Sequence, residues 1–261
     1  MDNIILTLVA ILITVIVGYL AQSLTISGAL AAAVVGVSVA LANGYSGLLV
    51  IGIFFVSSSF WSKYKREQKA KIEQKHAKGA RRDWQQVFAN GGIASLCSLL
   101  FYFTNHHLWT LAFAIAIASA NSDTWASEIG ALSKKSPLFI RNFKRAEKGT
   151  SGAVSLQGTN AAIGGALLIA LVSGYLFKLP INEMLLILFC GFLGNMLDTL
   201  FGAFLQASYQ CKRCSAVTEI KLHCGQPCLL IRGFTIMNND IVNFLSCFLA
   251  VIIGGCIYLV L

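Results

Sequence analysis

Apolar runs of membrane-crossing length recur along this chain, near residues 4–20, 28–44, 47–61, 86–104, 108–132, 157–177, 184–206 and 241–261. Crossing ~30 Å of hydrocarbon takes about 20 apolar residues in a helix. Every backbone polar group inside that layer must be satisfied within the protein, which leaves helices or closed barrels as the spanning structures. Runs of this length predict helices. The expected fold is an all-α, polytopic transmembrane helical bundle of about eight spans, a single integral membrane domain covering residues 1–261. Composition agrees, with only 12% of residues charged and a mean hydropathy of +0.72, where soluble domains carry about 25% charged residues. The first run has no basic segment before it and no small-residue cleavage site, so it reads as a retained span rather than a signal peptide.

The net charge of +9 is concentrated: nine of the twenty basic residues fall between Lys63 and Arg82, six between Lys134 and Lys148, and four between Lys212 and Arg232. With eight spans these three segments share one side, which an excess of Lys and Arg marks as cytoplasmic. Both termini are then expected outside a multi-pass protein of the plasma membrane. The basic balance is accounted for by topology, so no nucleic-acid partner is expected. The basic loop 62–85 reads as a helix lying on anionic headgroups, with membrane lipid as its partner. A sharper reading brings Arg81 and Arg82 at its end to a polyphosphate, because guanidinium forks match phosphate oxygens.

An ionised side chain deep in hydrocarbon costs at least ~2.5–3.5 kcal/mol and is a functional candidate by default. That singles out "ANSDTWASEIG", residues 120–130. If the fifth span ends near Leu132, Asp123 lies ~14 Å and Glu128 ~6 Å from its inner end. Asn121, Thr124 and Glu128 share one helical stripe, and Asp123 and Ser127 a neighbouring one. In the seventh span Gly191, Asn195, Asp198 and Gly202 form a single stripe, with Asp198 at the depth of Asp123. The eighth span opens with "MNNDIVNF", bringing Asn239 and Asp240 to the same side, although Asp240 also reads as an ordinary helix cap. Before the sixth span, "EKGTSGAVSLQGTN" sets Lys148, Gly149, Thr150, Gly152, Gly158, Thr159 and Asn160 at a helix N-terminus, a natural anion site. Tight helix packing explains those glycines equally well.

Carboxylates, glycine-rich backbone and basic loops at one membrane surface are the parts of phosphoryl transfer, where catalysis is mostly positioning and charge neutralisation. Hard oxygens suit Mg²⁺ shared with substrate phosphates. Asp123, Asp198 and Asp240 are expected to hold Mg²⁺, with Glu128 joining them or acting as a base. Asn121, Asn160, Asn195 and Asn239 would fix donor and acceptor oxygens, and Lys148 with the 149–158 turn would bind phosphate. An apolar substrate tail is expected between the fifth and seventh spans.

The segments "RRDWQQVFANG", "NSDTWASEIG", "GTSGAVSLQGT", "LDTLFGAFLQ", "HCG" and "NNDIVN" resemble, in order, the blocks of an integral membrane family termed domain of unknown function 92. The resemblance is close over residues 80–261 and a matter of pattern before that. One block of the family reads "LDS" where this chain has "LDT", which keeps the hydroxyl beside Asp198. It implies an integral membrane protein whose best-understood relatives, plant phytyl-phosphate kinases, phosphorylate an isoprenoid monophosphate to the diphosphate; related isoprenoid-alcohol kinases favour CTP. The expected activity is thus a Mg-dependent prenyl-phosphate kinase with nucleotide and isoprenoid phosphate as substrates. The alternative is a transporter of a cation or small solute using Asp123 and Asp198. A transporter should carry polar residues along the whole path and an internal repeat, whereas "LAFAIAI" and "MLLILFC" are apolar and no repeat of the acidic segments stands out.

Four of the eight cysteines lie in spans, where a thiol is a small hydrophobe. The others fall in the Cys-rich cytoplasmic loop 207–240, where Cys211 and Cys214 form C-x-x-C, followed by His223, Cys224 and Cys228. These five residues are of types that suit a four-coordinate structural Zn²⁺ site drawn from among them. A redox pair, or no special role, are the alternatives.

Overall fold

The computed structural model describes residues 4–73, 77–79 and 81–260. Its long helices are α1 (Ile4–Leu20), α2 (Ile26–Lys63), the short α3 (Arg66–Glu73), α4 (Trp84–Thr104) and α5 (Leu108–Gly130). After three short strands, β1 (Leu138–Phe139), β2 (Lys144–Arg145) and β3 (Ala153–Val154), come α6 (Leu156–Phe177) and α7 (Ile181–Phe204). Strands β4 (Ser208–Gln210), β5 (Val217–Thr218), β6 (Leu222–His223), β7 (Gln226–Pro227) and β8 (Leu229–Arg232) precede α8 (Asn239–Val260). By length and apolar character five of these helices, α2, α4, α6, α7 and α8, can cross a membrane.

The expected second and third spans form one continuous run, Ile26–Lys63, which breaks at Gly44 with φ 55° and ψ −148°. A Cβ placed on Gly47 would lie 2.8 Å from Val39 Cγ1. Eight residues of straight helix would separate those positions by ~12 Å, so the chain folds back at Gly44 into a helical hairpin. Helix α1 packs on both arms: Gly36 faces Ile11, and Gly18 faces Phe55.

Helix α5 is the axis of the bundle. Every residue from Thr110 to Ser122 is buried, packed by α2, α4, α6, α7 and α8. The alanine-rich "LAFAIAIASA" has no polar face, and a helix apolar all round belongs in the interior. Small residues also let its neighbours approach closely. A Cβ on Gly191 of α7 would stand 2.6 Å from Ala118 Cβ, and one on Gly165 of α6 would stand 3.0 Å from the Asn121 carbonyl oxygen.

The all-α expectation needs one correction. Segments 131–155 and 205–238 carry small antiparallel sheets, in the orders β2-β1-β3 and β5-β4-β8, and a β6–β7 hairpin. Strands of two to four residues present too few positions for an alternating pattern, so nothing in the sequence announces them.

The connections gather at two ends. At one, Thr25 N–H donates to the Arg82 carbonyl at 2.9 Å and Arg82 N–H to the Ser23 carbonyl at 3.0 Å, tying the α1–α2 turn to the start of α4. Gln206 and Arg232 reach Ser151 at the same end, at 3.0 and 3.3 Å. Helices α2, α4 and α6 all start there, capped by Thr25, Asp83 and Ser155. At the other end His107 Nε2 meets Glu183 Oε2 at 2.8 Å, beside the Tyr258 ring.

Candidate active site

Where the three loop-rich segments converge, a polar cavity of about 380 Å³ opens between the ends of α5 and α7 and the starts of α4, α6 and α8. Asp123, Glu128, Asp198 and Asp240 all line it, as do Asn195 and Asn239. Lys148, Gly149, Thr150, Gly152, Gly158 and Thr159 form one wall, and Arg82 stands on another.

The four acids do not act as one cluster. Asp123 and Asp198 are in direct side-chain contact. Asn195 Nδ2 donates to Asp123 Oδ1 at 3.1 Å, from one helical turn before Asp198. Asn243, with its amide nitrogen turned inward, donates to Asp198 Oδ2 at 2.9 Å, and Ser246 Oγ donates to the same oxygen at 3.4 Å. Among the described residues neither carboxylate has a basic ion-pair partner. Asp240 is instead bound by Lys78 Nζ at 2.5 Å, and Lys78 also holds Asp83 at 2.8 Å. Burial opposes the Lys78 charge, but its hydrogen bonds to Asp240 and Asp83 outweigh this and hold its pKa above the ordinary lysine value. Glu128 is engaged at both oxygens, by Ser62 Oγ at 2.6 Å and by Lys69 Nζ at 2.6 Å. Among the described residues no three carboxylates come within 4.8 Å of one another.

The 148–155 wall is built on backbone shape. Gly149 and Gly152 have φ of 79° and 83°, a region that L side chains rarely adopt. Ser155 Oγ accepts from the Gly158 amide at 3.1 Å and caps α6. Gly158 serves packing as well, since a Cβ there would come 2.9 Å from the Ala126 carbonyl oxygen. Helix packing therefore accounts for Gly158, while Gly149 and Gly152 shape the turn.

Several expected site residues stand elsewhere. Asn121 is fully buried, accepting from Ser57 and Ser58 at 3.1 and 3.3 Å and donating to the Gly165 carbonyl at 2.8 Å. Its polar atoms are used in joining α2, α5 and α6. Arg81 donates from Nε to the Leu24 carbonyl at 2.8 Å and lies over the Tyr19 ring, bracing the α1–α2 turn. Asn160 is exposed on α6 and does not line the cavity. The α5–α7 seam expected to take an apolar tail is closed, because a Cβ on Gly194 would fall 1.9 Å from Ser119 Oγ.

Other residues join the site unannounced. Glu219 lines the cavity and accepts from Ser151 Oγ at 2.6 Å and Gln206 Nε2 at 2.7 Å. Lys69, Lys78, Gln86 and Asn90 line it too. Gln86 and Asn90, four apart at the head of an apolar run, are a polar helical stripe that the sequence does display. Glu219 sits alone among strands too short to read.

Beside the polar cavity lies an apolar groove of about 810 Å³ between α1, both arms of α2 and α4. Val35, Phe54, Trp61 and Trp125 are among its walls. Arg82, Gln86 and Asn90 line both spaces. In the 205–238 segment, Cys211, Cys214, His223 and Cys224 bring their ligand atoms within 4.8 Å of one another, and Cys228 stands outside that set. The Cys214 amide, with His223, draws the Cys211 thiol down to about 6.

Comparison with known proteins agrees with this architecture. A family model described as an integral membrane protein, DUF92, matches residues 9–251. The chain is 28% identical to Protein PGR of Arabidopsis thaliana, covering 87% of this chain and 86% of that one. It is 30% identical to an uncharacterized membrane protein of Methanocaldococcus jannaschii, over 99% and 97% of the two chains. Protein VTE6, chloroplastic, of Arabidopsis thaliana is 26% identical over 90% of this chain and 65% of its own length. No solved structure matches.

Proposed function

Because the chain belongs to the integral membrane family DUF92, we propose that it is a phosphotransferase moving the terminal phosphoryl group of a nucleotide, CTP or similar, to an isoprenoid monophosphate at the cytoplasmic face of the plasma membrane. The observation that carries this reading is the junction of polar cavity and apolar groove at Arg82, Gln86 and Asn90. A phosphate head on a hydrocarbon tail fits it: the tail lies along α2 and α4, and the head meets Arg82. The kinship of the family with phytyl-phosphate kinases supports the same class of acceptor.

Asp123 and Asp198 suit Mg²⁺. They touch, each is oriented by an amide or hydroxyl donor, and no basic group neutralises them among the described residues. Mg²⁺ is commonly held by one or two carboxylates together with substrate phosphates. When bound, the ion supplies charge neutralisation for the transferring phosphoryl oxygens. Lys148 and the 149–152 turn bind nucleotide phosphate, and Arg82 orients the acceptor. An acceptor phosphate oxygen bonds to the terminal phosphorus as the bond to the bridging oxygen breaks, releasing the nucleoside diphosphate. A phosphate monoester has a second pKa of about 6, so at pH 7 the attacking oxygen is already ionised and no general base is required. Glu128 is then an anchor for Lys69, and Asp240 an anchor for Lys78; together they hold the basic loop over the cavity.

The test is transfer of labelled phosphate from each nucleotide to prenyl monophosphates of graded length. Transfer should occur, and Ala32→Trp, which narrows the groove, should shift the preference toward shorter tails. Consumption of no nucleotide with any prenyl phosphate, together with solute flux in liposomes that Asp123→Asn stops, would establish transport instead. The buried apolar stretch Leu111–Ala118 of α5 offers no polar path onward from Asp123 and favours a site open at one end.

The same reading has eight crossings, counting α1, the two arms of α2, and α4 to α8, with both termini outside. The alternation of connections between two ends supports it, with the basic segments beside the cavity. Single cysteines introduced at each connection should label from inside at 62–85, 131–155 and 205–238 and from outside at 105–107. A C-terminus labelled from the cytoplasm overturns this topology.

A further inference from the structure

The segment between α7 and α8 carries a second constellation, independent of the reaction at the cavity. Two tight turns face each other. The first joins β4 to β5: Cys211 N–H donates to the Ala216 carbonyl at 3.0 Å, Ser215 N–H to the Cys211 carbonyl at 2.9 Å, and Ser215 takes φ 59°. The amides of Cys214 and Arg213 point at the Cys211 sulfur. The second closes the β6–β7 hairpin, where His223 pairs with Gln226 and the two turn residues Cys224 and Gly225 have φ of 53° and 73°. Positive φ at both central residues is the two-residue hairpin turn favoured by Asn-Gly and Gly-Gly. A cysteine at its first position adopts a left-handed backbone that L residues rarely take.

That conformation turns the Cys224 thiol toward the first turn. Cys224 Sγ lies 3.8 Å from Cys214 Sγ and 3.2 Å from His223 Nδ1, and Cys214 Sγ lies 3.5 Å from His223 Nδ1. With Cys211 Sγ included, all four atoms fall within 4.8 Å of one another. Zinc–sulfur bonds of ~2.3 Å and zinc–nitrogen bonds of ~2.0–2.1 Å set the edges of a tetrahedron at ~3.5–3.8 Å. The Cys214–Cys224 and Cys214–His223 separations match such edges, the Cys224–His223 separation is slightly shorter, the Cys211 sulfur lies within 4.8 Å of the other three, and the sulfurs of Cys214 and Cys224 are too far apart to be bonded. Cys228 interacts with the Cys211 thiol but stands outside the set whose ligand atoms all lie within 4.8 Å of one another, and its N–H donates to the Lys221 carbonyl at the start of the run into β8.

We propose that Cys211, Cys214, His223 and Cys224 form a structural Zn²⁺ site that clamps the two turns together. A fully occupied tetrahedron of protein ligands leaves no open position for chemistry. The consequence is mechanical. The clamped turn leads through β5 into Glu219, which takes the hydroxyl of Ser151 and the amide of Gln206. The same sheet carries Arg232, which donates to the Ser151 carbonyl and to Ser208 Oγ. The metal therefore braces the sheet that grips the 148–155 wall from outside the cavity.

The test is elemental analysis of the full-length protein in detergent, purified without chelator and without metal-affinity resin. About one equivalent of zinc per chain is expected, the occupancy of a closed structural site. Cys211→Ser, Cys214→Ser and Cys224→Ser should each lose it, and Cys228→Ser should keep it. Should those variants fail to fold, cobalt exchanged into the unmodified protein gives an independent readout: visible bands of tetrahedral cobalt with thiolate charge transfer. The proposal is overturned if the protein neither carries zinc nor takes it up. It is equally overturned if blocked-thiol mass spectrometry finds Cys211 and Cys214 joined as a disulfide, or if Cys228→Ser empties the site as fully as Cys211→Ser.

Discussion

Replacing Asp198 or Asp123 by asparagine is expected to lower phosphoryl transfer by ~10³-fold or more at limiting Mg²⁺, with the fold retained. The magnitude follows from the several kcal/mol of charge stabilisation that a bound divalent cation supplies, at ~1.4 kcal/mol per tenfold in rate. The retained fold follows from the environment. The two carboxyls touch each other, and the groups around them are donors: the Asn195 amide, the Asn243 amide and the Ser246 hydroxyl. Asparagine keeps the shape and one acceptor oxygen while removing like-charge repulsion. The thermal midpoint of either variant in metal-free detergent should match or exceed that of the unmodified protein, and the stabilisation that Mg²⁺ gives the parent should vanish. Near-normal transfer by either variant at limiting Mg²⁺ would show that these acids do not hold the metal.

That pair was legible because hydrocarbon makes the argument sharp. Asp123 and Asp198 stand inside otherwise apolar runs, at matching distances from the inner ends of two parallel helices, and depth alone brings them together. The apolar runs were legible for the same reason, with ends within a few residues of the observed helices, although the second and third share α2 and five helices are long and apolar enough to cross. Asn121 looked identical in kind to Asp123 and proved structural, because two residues along a helix turn the side chain by ~200°, from the cavity into the packed seam with α2 and α6. Composition cannot separate those faces without the neighbours.

What the sequence hid was the work of the loops. Lys69 and Lys78 belong to a charge run that reads as solvated, yet they bind Glu128 and Asp240 across the mouth of the cavity. Such pairings link residues 59 and 162 positions apart, and no local pattern encodes them. The apolar groove was misplaced for a related reason. An apolar tail is expected between the fifth and seventh spans, but glycine beside small residues draws those helices together. The space lies instead between α1, both arms of α2 and α4, lined by Val35, Phe54, Trp61 and Trp125 among others.

The wall at 148–155 depends most heavily on one residue. A Cβ at Gly152 would sit 2.4 Å from both the N and Cα of Ala203 and 2.5 Å from its Cβ, and Gly152 also holds φ 83°. The obstruction is the helical backbone of α7, which cannot step aside as a flexible side chain could. From the opposite side, a Cβ on Gly202 would meet the Gly152 amide at 2.9 Å, so the two glycines make a direct backbone contact one turn from Asp198. Gly152→Ala combines a left-handed alanine, roughly 1–2 kcal/mol, with overpacking of roughly 1–3 kcal/mol. A total destabilisation of ~2–5 kcal/mol is expected. Gly225→Ala is the natural control: its φ of 73° incurs the conformational cost, but nothing lies within 4 Å of the added carbon. It should therefore cost only the first of those two increments. Where Gly152→Ala remains folded, the wall must shift off α7, raising the KM for nucleotide more than it lowers kcat, since in the proposed reaction Lys148 and the turn amides bind phosphate rather than react. Equal thermal midpoints for Gly152→Ala and Gly225→Ala would mean that the wall is not seated on α7 and that Gly152 contributes backbone freedom alone.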